Sequence, residues 1–450
     1  EDTGPRKEMS ADKIKKDEGR LRKILVRIVS SCLMQAAFMG LLYMGHVYIC
    51  LLVALLEALL FRELVKVRYS AYFDTIQDTI PLFRTTQWMW FLVAIIYAYG
   101  DFIAHLIKDN QDLHHLHWFA QYSISISFAI YSTAFVFTIS TMQTGHIRFQ
   151  LNQLCWTIVV LCLTVGQLKY VMHNIFNGLF WFKLPILLVI TNDIFAYVSG
   201  MTMGRKFIHR QFISFSPNKT WEGFIGGGIC TIIASWYLSR FLAQFKWFVC
   251  PVNEIRWWHY ELDCELDPVF QEAQNIVPPQ VFELLPQAVV KMLPLNGLVE
   301  MCTVANTEGP TVTNCVSGDP THTFHHFEFI LKNVYPIQIH SVALALFASL
   351  VAPFGGFLAS AIKRAYHIKD FDSLIPGHGG IMDRLDCQFL MALCTWVYYN
   401  TFIGMATLSV PKMIYMFNLL SPQQKAEFVD QLKLMTKGGR KALNMEDFLN

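Results

Sequence analysis

Basic and acidic side chains are concentrated between Lys363 and Asp386, within a chain that is otherwise strongly apolar. This stretch contains four lysines or arginines and four aspartates around a Pro-Gly-His-Gly-Gly turn. Lysine and arginine hold phosphate oxygens, and carboxylates bind hard divalent cations such as magnesium. Because phosphate and magnesium require both signs of charge close together, the stretch predicts a site for a phosphorylated substrate.

The candidate catalytic residues are those that can contact a reacting phosphate or hold a divalent cation beside it. They are Lys363, Arg364, Lys369, Asp370, His378 and Arg384. His378 is included as part of the glycine-rich turn, where backbone N–H groups can approach an anion, and not as a general base. Asp383 and Asp386 lie three residues apart and share one face of a helix, so both are candidate magnesium ligands.

An alternative explanation for this charge is a solvated loop whose basic residues only set the orientation of the chain in a membrane. Orientation depends on lysine and arginine and requires neither aspartates nor a glycine-rich turn. We therefore favour a substrate site.

A second stretch with polar and charged residues covers residues 191–228 and includes Asp193. Asn192 and Asp193 lie inside an apolar run, where an unpaired carboxylate is costly, so a metal ion or a cationic side chain is the expected partner of Asp193. Lys219 precedes a helix predicted to begin near Trp221, and the N–H groups of a helix N-terminus bind anions. Substrate binding is predicted for Arg205, Lys206, Ser216, Lys219, Gly379 and Gly380.

Simpler structural roles remain open for parts of this group. Residues 216–220 could form an ordinary helix cap. For the three glycines from Gly226 to Gly228 we favour close packing of helices over contact with phosphate.

The composition is that of a membrane protein. Hydrophobic residues make up 54% of the 450 residues and charged residues 16%, whereas soluble domains carry about 25% charged residues. The net charge of +2 gives no dense basic face of the kind that nucleic acid requires, so no nucleic-acid partner is expected.

Apolar runs long enough to cross a bilayer predict an all-α polytopic membrane protein with about nine transmembrane helices. The run from Ile24 to Leu60 is long enough for two helices joined by a tight turn. A large luminal loop is predicted between the seventh and eighth spans. The predicted segments are a basic cytosolic tail (1–23), a first transmembrane region (24–243) that includes residues 191–228, the luminal insertion (244–336), a second transmembrane region (337–408) that includes residues 360–386, and a C-terminal tail (409–450).

Lysine and arginine in short loops mark the cytosolic side of a membrane protein. They accumulate in the N-terminal tail, in residues 61–84 and in both charged stretches, which an alternating count of spans places on one side. The substrate site is therefore predicted to face the cytosol.

The insertion contains four cysteines in a compartment that permits disulfides, and both disulfides and free thiols remain open. They are Cys250, Cys264, Cys302 and Cys315. Its segment Val281–Leu293 has an amphipathic pattern, for which we favour a packed helix over one lying along the membrane interface.

The two charged stretches resemble the phosphatidate cytidylyltransferase family, also called CDP-diacylglycerol synthases. The signature of that family is matched by Ser360, Lys363, Arg364, Lys369, Asp370, Pro376 to Gly380, Asp383, Arg384 and Asp386. Its upstream Ser-Pro-x-Lys-Thr-Trp-Glu-Gly run is matched by residues 216–223, and its upstream aspartate resembles Asp193, followed by Ala196 and Tyr197. The first predicted spans share only their hydrophobicity with the family.

One position departs from the pattern. Bacterial members usually carry a Gly-Asp pair where this chain has Gly355 and Gly356. If that aspartate binds metal in bacteria, this chain must use another ligand, for which Asp193, Asp370 and Asp386 are the alternatives. The long luminal insertion is absent from the compact bacterial pattern and indicates a eukaryotic enzyme.

The resemblance implies transfer of a cytidylyl group from CTP to phosphatidic acid, with Mg²⁺ as cofactor and Asp193, Asp383 and Asp386 as its candidate ligands. It also implies a multi-pass protein of the endoplasmic reticulum membrane, in contact with membrane lipids. A homodimer is left open, since no sequence feature indicates one. The alternatives are a CTP-dependent polyprenol kinase and a polytopic transporter, of which the latter tends to carry charge at mid-membrane rather than at helix ends.

Overall fold

The computed structural model describes most of the membrane region, part of the insertion and a few residues of the C-terminal tail. The described residues are 25–26, 28–73, 80, 82–109, 115–214, 216, 219–252, 264, 266–271, 275–277, 299–304, 313–316, 327–331, 334–372, 374, 379–404, 417, 425 and 428–429. The predicted helix at Val281–Leu293 lies outside them.

Helices make up the described part of the membrane region. Before the insertion they are α1 (Ile28–Met44), α2 (His46–Phe73), α3 (Phe83–Asp109), α4 (His117–Ser140), α5 (Ile147–Leu163), α6 (Val165–Phe176), α7 (Leu179–Met203), α8 (Trp221–Ala243) and the short α9 (Lys246–Val249). After the insertion they are α10 (Pro336–Leu350), α11 (Pro353–Ala365), the short α12 (Met382–Leu385) and α13 (Gln388–Tyr398).

Five stretches of the described residues are long and apolar enough to cross a membrane. They are Gln121–Ser140, Ile147–Phe176, Leu179–Met203, Trp221–Ala243 and Pro336–Ala365. The prediction of a helical, multi-pass membrane protein is confirmed, whereas the number of nine spans stays a prediction.

The structure refines two predicted boundaries. The first apolar run forms two helices that meet at Gly45, whose φ of 117° lies in the left-handed region that glycine tolerates. Helix α2 then continues to Phe73, so much of the basic segment predicted as a loop (61–84) is helical. The run predicted as one span from Ile337 is divided before Pro353, because proline at the start of α11 cannot donate the hydrogen bond that would continue α10.

Helices α7 and α8 approach each other closely because glycines face their interface. A Cβ on Gly227 would lie 2.9 Å from the Cβ of Ala196, and one on Gly226 would lie 2.5 Å from the hydroxyl oxygen of Ser199. The prediction that these glycines serve helix packing is therefore confirmed, and the packing places Asp193 of α7 near the N-terminus of α8.

The insertion adds a small β-sheet that sequence analysis did not predict. Strands β1 (Asn275–Val277), β2 (Val299–Val304), β3 (Thr313–Val316) and β4 (Phe327–Leu331) form an antiparallel sheet in the order β1-β4-β2-β3. Its register places Cys302 opposite Cys315. Cys250 and Cys264 form a disulfide, which resolves the alternatives left open for that pair.

The chain divides after Val397 into two compact units. In the described part of the second unit, a short π-helix covers Tyr399–Ile403, and the rings of Phe417 and Phe428 lie 5.6 Å apart.

Candidate active site

Asp383 holds together three parts of the charged stretch. The Nζ atom of Lys363, at the end of α11, donates a hydrogen bond to Asp383 Oδ1 at 2.6 Å. The backbone N–H groups of Phe371 and Gly380 donate to Asp383 Oδ2 at 3.1 and 3.2 Å. Charge-assisted bonds of this kind are about twice as strong as neutral ones. Asp383 therefore positions Lys363 and the end of the glycine-rich turn.

The glycine-rich turn requires glycine at both of its described positions. Gly379 has a φ of 83°, in the left-handed region. At Gly380 a Cβ would come within 2.9 Å of Glu63 Oε2 and 3.0 Å of the backbone nitrogen of Asp372. The predicted residues Pro376, Gly377 and His378 lie outside the described part of the chain.

Glu63 of α2 is a member of the site that sequence analysis missed. Its carboxylate accepts hydrogen bonds from the backbone N–H groups of Ile381 (2.9 Å) and Met382 (3.0 Å) and so caps the start of α12. The side chain is buried, with a residue exposure of 1%. The signal available in the sequence was a carboxylate close to an apolar run, the same signal that identified Asp193.

A second part of the site is a cavity of about 250 Å³ between α7, α8 and α11. Its lining includes Asp193, Lys219, Thr220 and Phe357. The hydroxyl of Thr220 accepts a hydrogen bond from the N–H of Gly223 at 3.2 Å, so the segment before α8 does form a helix cap. The helix cap and a role in substrate binding are therefore compatible, because the cap fixes the backbone that carries Lys219.

The loop between α7 and α8 is held by Glu222. Its Oε1 atom accepts hydrogen bonds from the backbone N–H groups of Phe207 (3.1 Å) and Ile208 (2.8 Å). Arg205 and Lys206 precede this contact and are exposed, and neither lines the 250 Å³ cavity. The carbonyl of Ser216 accepts a hydrogen bond from the N–H of Lys219 at 3.1 Å, so Ser216 shapes the turn before α8.

Asp386 connects the charged stretch to the cavity. Burial raises the pKa of Asp386 to about 6, the N–H of Cys387 lowers it, and the negative charge of Asp193 raises it further. Lys363 acts in the opposite direction on the same carboxyl. Asp193 in turn interacts electrostatically with Lys219 and Arg384. Charged groups from distant parts of the sequence thus interact with one another: Asp386 with Asp193 and Lys363, and Asp193 with Lys219 and Arg384.

The three predicted magnesium ligands have different surroundings. Asp383 accepts hydrogen bonds from Lys363 and two backbone amides, whereas the negative charge of Asp193 acts on the buried carboxyl of Asp386. Within the described ranges, no group of three His, Cys, Asp or Glu side chains is arranged to hold a metal. Mg²⁺ is commonly bound by one or two carboxylates together with substrate phosphates, so the Asp193–Asp386 pair fits such an ion.

The remaining candidates lie at the edge of this cluster. Arg364, Lys369 and Asp370 are exposed. A Cβ on Gly379 would lie 3.5 Å from the Cβ of Asp370, so Asp370 lies beside the glycine-rich turn.

The fold and site are those of a nucleotidyltransferase embedded in a membrane, and the chain belongs to the cytidylyltransferase family, whose model matches residues 25–402. The chain is 36% identical over 429 residues to a probable phosphatidate cytidylyltransferase of Dictyostelium discoideum. That alignment covers 94% of this chain and 81% of the relative. The chain is 32% identical over 422 residues to phosphatidate cytidylyltransferase 1 of Arabidopsis thaliana (92% of this chain, 88% of that protein). It is 34% identical over 422 residues to phosphatidate cytidylyltransferase 1 of Homo sapiens (92% and 79%). The resemblance seen in two motifs is confirmed and extends through the first helices.

Proposed function

We propose that this chain is a phosphatidate cytidylyltransferase, which transfers the cytidylyl group of CTP to phosphatidic acid and yields CDP-diacylglycerol and pyrophosphate. The observation that carries the proposal is the match to the cytidylyltransferase family over residues 25–402. It is supported by a charged cluster in which Asp193 and Asp386 interact electrostatically with Lys219, Lys363 and Arg384. Such a cluster provides cations for two phosphorylated substrates and carboxylates for a metal ion.

The reaction is a phosphoryl-type substitution. A phosphate oxygen of phosphatidic acid attacks the α-phosphorus of CTP, a new P–O–P bond forms, and the bond to the β-phosphate breaks with release of pyrophosphate. The attacking oxygen is already ionised at neutral pH, so no general base is required. The main barrier is the repulsion between two anions, which fixed positive charge and in-line positioning reduce.

The residues of the site meet this requirement in distinct ways. Lys363 is held in place by Asp383 and can neutralise a reacting phosphate, while Lys219 can bind the triphosphate from the side of the 250 Å³ cavity. The N–H of Gly380 already donates to Asp383, so any donor that the glycine-rich turn offers to a phosphate lies elsewhere in the turn. Asp193 and Asp386 would hold magnesium, whose chemistry there is to neutralise and orient the phosphates of the nucleotide.

The same proposal gives the location of the enzyme. The chain is a multi-pass membrane protein, and we assign it to the endoplasmic reticulum with its active site facing the cytosol. The support is the accumulation of lysine and arginine in the segments that carry the site, together with an insertion that contains a disulfide.

The direct test is an incubation of the purified protein in detergent with phosphatidic acid, magnesium and CTP labelled at the α-phosphate. The expected result is label in a lipid together with released pyrophosphate, and loss of both in the Asp383→Asn variant. Label that remains in water-soluble CDP would instead establish a lipid kinase. Unchanged CTP with every lipid acceptor would overturn the proposal and favour a transporter.

A further inference from the structure

A second cavity lies between α2 and α3, outside the site described above. It has a volume of about 310 Å³ and carries three basic side chains, Arg62, Lys66 and Arg84. Its walls are aromatic: the rings of Phe61 and Trp88 lie 5.6 Å apart. Basic groups combined with aromatic walls suit a ligand that has both an anionic and an apolar part.

Among the described residues, the charges of this cavity are only partly balanced. Arg62 and Lys66 both contact the carboxylate of Asp372, at 3.4 and 3.5 Å. Their side chains remain 46% and 55% exposed, so these contacts are weak and leave both groups accessible to a ligand. Arg84 adds a third positive charge from α3. Glu63 does not offset this charge at the cavity, because its carboxylate is buried against the N–H groups of Ile381 and Met382.

The cavity adjoins the active site through the chain itself. Asp372, which Arg62 and Lys66 contact, directly follows Phe371, whose N–H donates to Asp383. Asp383 in turn holds Lys363. A ligand bound by Arg62 and Lys66 would therefore be linked to Lys363 through Asp372, Phe371 and Asp383.

The two cavities differ in the side chains that line them, and each lining suits a different substrate. The 250 Å³ cavity already provides Lys219 for the nucleotide. The 310 Å³ cavity instead combines a basic rim with aromatic side chains, Phe61 and Tyr69 from α2 and Trp88 from α3. Helix α2 continues from an apolar run. Tryptophan and tyrosine favour the membrane interface, and basic residues there attract anionic lipid headgroups.

We propose that Arg62, Lys66 and Arg84 form a binding site for the phosphomonoester headgroup of the lipid acceptor. This inference rests on the proposed function and adds to it the place where phosphatidic acid is captured as it leaves the bilayer. The aromatic walls contact the glycerol and the first acyl carbons, while the basic rim binds the phosphate.

The first variant is Arg84→Gln, because it removes one positive charge without altering the contacts of Asp372 with Arg62 and Lys66. Lys66→Gln is the second. The matched control is Arg68→Gln, which removes a positive charge from the same helix α2 at a position that does not line the cavity. The control separates the proposed site from a general effect of surface charge on lipid binding.

Steady-state kinetics on mixed micelles measure the effect. Both cavity variants are expected to raise the KM for phosphatidic acid about tenfold, the effect of losing one charge-assisted hydrogen bond. The KM for CTP should be unchanged in both, and the control should match the wild type in both constants. An unchanged KM for phosphatidic acid, or a selective rise in the KM for CTP, would overturn the assignment.

A binding measurement separates this inference from the proposed function. Trp88 lines the cavity and is 41% exposed, so a brominated lipid bound there should quench its fluorescence. The contribution of Trp88 is the difference in quenching between the wild type and the Trp88→Phe variant. Brominated phosphatidylcholine and brominated phosphatidylglycerol are the control lipids. Preferential quenching by brominated phosphatidic acid supports the site even if no cytidylyl transfer is found. Cytidylyl transfer without such quenching, or equal quenching by all three lipids, would overturn the site and leave the proposed function intact.

Discussion

The carboxylate of Asp386 occupies the space in front of Gly356, since its Oδ2 atom lies 3.3 Å from the position that a Cβ on Gly356 would take. Bacterial members of the family usually carry an aspartate at this position. A carboxylate is therefore present in this region of the site, supplied by Asp386 instead of residue 356. Asp386 belongs to the family signature, and we propose that its carboxylate serves in this region without a second one from residue 356.

Gly355 should tolerate substitution less well than Gly356. A Cβ on Gly355 would overlap the backbone carbonyl oxygen of Asp386, whereas one on Gly356 would meet only side-chain atoms at 3.3 Å. Gly355→Ala is expected to force α11 away from the charged stretch, at a cost of about 1–3 kcal/mol in the free energy of unfolding. Thermal unfolding in detergent, with Gly356→Ala as the control, measures the difference. Equal melting temperatures for the two variants would contradict this packing.

Asp383→Asn should reduce turnover strongly. The substitution removes the negative charge that holds Lys363 and weakens the acceptor of the Phe371 and Gly380 N–H groups. By analogy with the loss of one transition-state donor, kcat is expected to fall about 10²–10³-fold. Asp372→Asn is the comparison, because its contacts are with the partly exposed Arg62 and Lys66, and a smaller change is expected. Nearly unchanged turnover in Asp383→Asn would refute the role given to this carboxylate.

Glu63 should act as a positioning residue. Glu63→Ala leaves the N–H groups of Ile381 and Met382 without their acceptor, at a cost of about 1–2 kcal/mol for the lost cap. Glu63→Gln retains one amide oxygen and should recover part of that stability. We expect kcat to fall in the order wild type, Glu63→Gln, Glu63→Ala, measured beside thermal unfolding. Full activity in Glu63→Ala would exclude a role in positioning the charged stretch.

The dependence on magnesium should identify its ligands. Chelation of divalent cations is expected to abolish cytidylyl transfer, and addition of magnesium should restore it. Asp193→Asn and Asp386→Asn should raise the magnesium concentration needed for half-maximal activity, because each removes a charged oxygen ligand. Asp370→Asn serves as the control, since this exposed side chain lies outside the pair. A larger shift for Asp370→Asn than for Asp386→Asn would reverse our choice of ligand.

Thiol labelling can test the disulfide between Cys250 and Cys264. Cys250 and Cys264 should not react with a membrane-impermeant maleimide until a reductant is added, because both thiols are joined. Their sequence separation of 14 residues corresponds to a stabilisation of about 3 kcal/mol in the chain-entropy treatment. Replacement of both by serine should lower the melting temperature of the protein. Immediate labelling of Cys250 without reductant would exclude the disulfide.

Much of the site follows from local sequence. The spacing of Gly380 and Asp383 allows the carboxylate to accept the N–H three residues before it, and Thr220 caps α8 in the same short-range way. Such contacts depend on residue type and a few backbone angles, so sequence analysis could identify the charged stretch and the segment before α8. The apolar runs likewise predicted helices that cross a membrane.

Tertiary structure decided which distant residues meet. Glu63 contacts Ile381 across 318 positions, and Arg62 contacts Asp372 across 310. Helix α2 had no motif to mark it, because the pairing depends on how whole helices pack rather than on any short pattern. The same reason applies to Asp383 and Asp386. Their spacing is visible in the sequence, whereas packing decides that Asp383 contacts Lys363 and that Asp386 lies beside Gly356.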